Sequence, residues 1–131
     1  EVATKPGKSG LDFLDTGMAA LIAGDYPTAK DDLGSAVELF RASKDQRLVV
    51  VGLTFQAVTQ AADRDFDTAQ TSLLNAGFER ERLPADLLQI SGWLSEIQGL
   101  TGDVLALGVP NPEAFVAEVH EIAERAARKP W

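Results

Sequence analysis

Gly24-Asp25-Tyr26-Pro27-Thr28-Ala29, followed by Leu33 and Ala36, reads as a helix stop, a tight turn and the opening of a second helix. Glycine is the usual residue just past a helix C-terminus, aspartate caps the next helix, and proline suits its first turn. Small side chains at Ala29 and Ala36 bracket the larger Leu33, a spacing that suits a close helix crossing. Forty residues on, Arg64-Asp65-Phe66-Asp67-Thr68-Ala69, with Leu73 and Ala76, repeats the pattern. The echo predicts helix pairs stacked as repeats.

Working back from the first turn, Leu11, Leu14, Met18, Leu21 and Ile22 recur at helical spacing and predict a first helix from about Gly10 to Ala23. Gly17 interrupts a second stripe, Phe13-Gly17-Ala20. A mid-helix glycine costs about 1 kcal/mol against alanine, so a neighbouring backbone is expected to pass close to it. Residues 1–9, with Pro6 and Gly7, read as a flexible lead-in. Gly7-Lys8-Ser9 imitates the end of a phosphate loop, but Val2 stands where the motif needs glycine and no strand precedes it.

Working forward, the second helix directs Ala29, Leu33, Ala36, Val37 and Phe40 inward. Ser43-Lys44-Asp45-Gln46 fits a capping box and predicts a third helix to about Ala62. Its run Leu48 to Leu53 is β-prone, but the cap and the spacing of Leu53, Ala57, Val58 and Ala61 favour helix. A fourth helix, capped by Asp65, is expected to close at Gly77. Pro84 opens a fifth, running to about Gln98. Residues 99–110 then read as an unusually long apolar loop that packs over the domain or presents a sticky surface. Asn111-Pro112-Glu113 starts a sixth helix, with Phe115, Val116, Val119, Ile122, Ala123 and Ala126 on its buried face. The expected architecture is all-α: one domain over 10–131, six helices, in antiparallel pairs at about 10–43, 44–77 and 84–128.

The two echoed segments resemble tetratricopeptide repeats, which place small residues at helix crossings and a Gly-Asp-Tyr type turn inside each pair. Phe13, Gly17, Gly24, Asp25, Tyr26, Ala29, Leu33 and Ala36 follow that spacing, as do Leu53, Ala57, Asp65, Phe66, Ala69, Leu73 and Ala76. The likeness covers roughly residues 10–77. Thr16 and Gln56 stand where the family prefers bulky apolar residues, and the two repeats lie about six residues further apart than the family period near 34. The third pair matches only in outline, and a generic helical bundle is the alternative. The resemblance implies a short right-handed α-solenoid whose concave groove is lined by the first helix of each pair. It places Leu14, Met18, Phe55, Val58, Trp93 and Glu96 on a partner-binding surface. The Lys, Arg and Asn of the carboxylate-clamping subclass are missing from these positions.

Composition narrows the function. The chain has 131 residues, 45% of them hydrophobic, and a formal net charge of −8, with its basic residues scattered. Such a surface repels phosphate backbones and argues against nucleic-acid binding. The chain holds no cysteine and a single histidine, His120, flanked by Glu118 and Glu121. This is a poor basis for an enzyme or a metal site, and no cofactor is expected. No apolar run reaches the length of a membrane helix, so the chain reads as soluble, either cytoplasmic or an exported mature domain. The expected function is a non-catalytic interaction or scaffold module that buries an apolar or amphipathic segment of a protein or peptide partner. The alternatives are a self-associating subunit, forming a homo-oligomer, and a carrier of a lipid or other apolar small molecule.

Overall fold

The computed structural model describes residues 9–126. Residues 1–8 of the lead-in expected over 1–9, and residues 127–131, lie outside the described residues. Among the described residues there are six α-helices and no strand: α1 (Gly10–Ala23), α2 (Tyr26–Ala42), α3 (Gln46–Ala62), α4 (Phe66–Glu81), α5 (Leu88–Leu107) and α6 (Pro112–Arg125). A single 3-10 turn, Ala85–Leu87, precedes α5.

The first four helices are joined by three turns of one design. Gly24 (φ 84), Lys44 (φ 60) and Arg64 (φ 65) take the left-handed conformation, 20 residues apart in each case. An aspartate follows each of them. The amides of Asp25, Asp45 and Asp65 donate back to the carbonyls of Ala20, Phe40 and Gln60 at 2.8–2.9 Å. These bonds satisfy helix-end carbonyls that would otherwise have no partner, as in a Schellman-type stop. Asp25 and Asp45 then cap the following helix by accepting from the Thr28 and Leu48 amides. Asp65 stands at the same position without a side-chain cap bond.

This turn corrects the expected capping box at 43–46. Lys44 supplies the left-handed residue, Asp45 is the cap, and the Ser43 hydroxyl donates to the Phe40 carbonyl. A true capping box lies instead at the start of α1. There the Asp12 amide donates to Ser9 Oγ, and the Ser9 amide donates to the Asp12 carboxylate.

Consecutive helices pack against each other, so α1, α3 and α5 form one layer, with α2 and α4 behind it. The β-prone run of α3 is helical because α3 is the centre of the molecule. It touches α1, α2, α4, α5 and α6, and buries residues on all its sides, including Leu48 to Phe55 without a break. Burying a Val or Leu side chain contributes about 1.5–3 kcal/mol, far above the tenths that β-branching costs a helix. Thr54 and Thr59 enter this core by donating to the carbonyls four residues back, Val50 and Phe55, at 2.8 Å each. Gly17 meets its expected neighbour. A Cβ there would lie 2.8 Å from Leu33 Cγ and 3.2 Å from the Leu33 amide nitrogen.

Two boundaries differ from expectation. α4 continues past Gly77 to Glu81, held by side chains of its last turn: Arg80 Nε donates to Gln98 Oε1 at 2.8 Å, and Gln46 Nε2 donates to Glu79. The expected loop at 99–110 is mostly helix. α5 runs on to Leu107, with Thr101 buried, its hydroxyl bonded to the Ile97 carbonyl, and Leu100 and Val104 packed on the core. Gly99 and Gly102 act as helical residues, and Gly102 sits against Leu73. Only 108–111 remain as a connection.

Candidate partner-binding face

Each of α1, α3 and α5 turns one side away from α2 and α4, and these sides make up the face on which a partner is expected. The face is occupied. Among the described residues, α6 packs on α1, α3 and α5 and on neither α2 nor α4. α6 packs on α5, its partner in the last helix pair, and also reaches α1 and α3. α5 packs against α3 and α4, and α6 crosses back over the layer of α1, α3 and α5. The cover is α6, and residues 99–107 of the loop expected to pack over the domain or present a sticky surface are part of α5.

The sequence of α6 explains the seat. The Asn111 side chain accepts from the Ala114 amide at 3.1 Å, Pro112 fills the first turn, and Glu113 lies where the helix dipole favours negative charge. Phe115, Val116, Val119, Ile122 and Ala123 are buried, whereas Ala114, Ala117, Glu118, Glu121 and Glu124 face water. That one-sided stripe is the pattern of a helix lying on an apolar surface.

The residues expected to bind a partner fall into three groups. Met18 and Phe55 line the seam with α6, facing Val116 and Val119. Trp93 stacks obliquely on Phe55, with ring centroids 5.9 Å apart and planes at 54°, and is itself buried. Leu14 and Val58 are wholly buried, so they belong to the core. Glu96 is exposed and pairs with Arg125 of α6 at 3.8 Å. At that exposure the pair is screened by water and salt and adds little stability. With α6 seated, the five apolar positions are inaccessible to any other molecule.

Behind this face, Gln98 ties three helices together. Its amide donates to Thr54 Oγ1 at 3.0 Å and its carbonyl accepts from Arg80 Nε, which joins α5 to α3 and α4 in a buried polar chain. Such a network fixes the relative register of the helices it links.

One end of the seam opens into a cleft of about 700 Å³, where the C-terminal ends of α1 and α3 meet the start of α6. Leu21, Ile22 and Val116 form its apolar wall, and Tyr26, Asp63, Glu113 and His120 its polar one. The Tyr26 phenol is pushed above its ordinary value of 10.0, first by partial burial and then by the negative charges of Asp63 and Glu113. Asp63 also holds Lys30 at 2.7 Å. His120 Nδ1 is buried with no hydrogen-bond partner among the described residues.

The periodicity of α6 identifies its buried face but not the surface that it covers. The signal for that surface is a strongly one-sided last helix alongside three apolar stripes, with no fourth element to bury them. Among known proteins, no family model, no curated sequence and no solved structure matches this chain.

Proposed function

We propose that the chain is a tetratricopeptide-like interaction module without catalysis, and that its α1–α3–α5 face receives an amphipathic helix. The observation that carries this reading is the seating of α6. An amphipathic helix with apolar residues at 115, 116, 119, 122 and 123 lies across the three helices and covers Met18 and Phe55. Helix-in-groove recognition reads such i, i+3, i+4 and i+7 anchors. Repetition of one turn at Gly24, Lys44 and Arg64 supports the repeat reading, as do the fully buried small residues Ala29, Ala36, Ala69 and Ala76. In this view α6 is the resident occupant, and a partner helix binds by displacing it. Occupancy in cis lowers the apparent affinity for any outside helix by the fraction of molecules whose face is free.

The test is a Val119→Asp chain, which spoils the seated side of α6 and leaves the floor intact, titrated with a labelled peptide of residues 111–126. The folded variant is expected to bind with a Kd on the order of micromolar, and the unaltered chain about tenfold or more weakly. A variant that keeps its helical circular dichroism and binds no peptide refutes the reading.

A further inference from the structure

We propose that two copies of this chain exchange α6, each seating its α6 on the α1–α3–α5 face of the other. The inference rests on reading that face as a helix-binding site, and it names one partner: a second copy.

Three observations lead there. First, α6 is separable. Among the described residues it packs only on α1, α3 and α5, and it is joined to α5 by the short strap 108–111. The apolar floor that α6 uncovers on leaving its own copy is covered again, in the same form, by α6 of the other, as in any exchange of identical elements.

Second, the strap turns at Gly108 and bends again at Pro110, with Val109 buried between them. Gly108 has φ 87 and ψ 169, a conformation open essentially to glycine alone. The next residue, Val109, precedes Pro110 and is therefore biased toward extended backbone. Rotation of Gly108 into the ordinary extended region, with release of Val109 from the core, redirects the strap and carries α6 away from its own face. A short hinge held in this way invites exchange.

Third, among the described residues nothing covers the surface beside the strap. Leu107 is 87% exposed. An open notch of about 200 Å³ lies next to it between α4 and α5, lined by Gln70, Leu73, Leu74, Gly102, Leu105 and Ala106. All six are uncharged, so two copies of a chain carrying −8 meet here with the least repulsion. In an exchanged pair the two straps run past each other at this place, and the exposed apolar side chains cover one another.

The experiment mixes two full-length variants. Val119→Asp has a spoiled α6 and a sound floor, and Met18→Asp has a sound α6 and a spoiled floor. Neither completes its own face, but one complete face forms when α6 of the second seats on the first. Native mass spectrometry of the mixture is expected to show heterodimer about tenfold over either homodimer. Pairing through the notch alone gives no such preference, because both variants keep the notch intact, and a statistical mixture overturns the proposal. A mixture that stays monomeric overturns it as well.

If Met18→Asp does not fold, Gly108→Ala takes its place. An alanine strains the strap turned at Gly108 but not the redirected one, so the dimer fraction at matched concentration is expected to rise. An unchanged monomer then overturns the proposal. The Val119→Asp chain is also titrated with the 111–126 peptide. Peptide binding without pairing defeats the exchange alone, whereas loss of both defeats the helix-binding face itself.

Discussion

Tyr26 is the chain's single tyrosine and lines the cleft where α6 begins. Its phenol is raised by burial, by Asp63 and by Glu113, and the last of these belongs to α6. The folded state therefore holds the phenolic proton more tightly than the unfolded chain does. Stability from this source is fully present below about pH 10 and is lost as pH rises through the folded value. An ultraviolet titration of the phenolate should place the midpoint above the ordinary tyrosine value. Glu113→Gln should bring it part of the way back. A midpoint at or below the ordinary value in the unaltered chain contradicts the described cleft. Gly17 illustrates the same scale differently: it is conspicuous in the sequence because it costs helix stability, and its reason is Leu33, which packs so close that a Cβ at 17 would lie 2.8 Å from its Cγ.

At the scale of elements, the three turns at Gly24, Lys44 and Arg64 share one geometry, but only the first has glycine at the left-handed position. A side chain there costs about 1–2 kcal/mol, partly offset by the greater freedom that glycine gives the unfolded chain. Lys44→Gly should accordingly stabilise the fold by about 0.5–1 kcal/mol, read as a higher urea midpoint at unchanged slope. A lower midpoint would show that Lys44 contributes more than its backbone conformation. The same turns explain what is legible in the sequence. Gly-Asp and Arg-Asp, each followed by an aromatic residue and a small-residue spacing, announce two of the turns, and helices α1 to α4 follow from them. Lys44-Asp45 is hidden because Ser43 and Gln46 imitate a capping box. The length of α5 is hidden because Gly99 and Gly102 resemble breakers, although both fit within a helix. The direction taken by α6 is not legible locally. It is fixed by which apolar face remains uncovered once α1 to α5 have packed, and that is a property of the assembled layers.

At the scale of the whole molecule, α3 and α6 are opposites. α3 is surrounded by five helices and holds the largest buried stretch. Among the described residues α6 packs on one face only, with an exposed ion pair at one end and the strap turned at Gly108 at the other. Sparse packing and a single attachment mark the part of a fold that opens first. On the proposed function, this inequality would let a filled face serve as a binding site, because α6 could leave without unfolding the layers beneath. On that reading the strength of the α6 seat sets how readily the floor at Met18 and Phe55 is exposed. The most direct measurement is native-state hydrogen exchange resolved by residue. Hydrogen-bonded amides of α6 are expected to exchange through local opening, about 100-fold or more faster than those of α3. Exchange of α6 and α3 together, at the rate of global unfolding, would contradict it and make α6 a fixed part of the core.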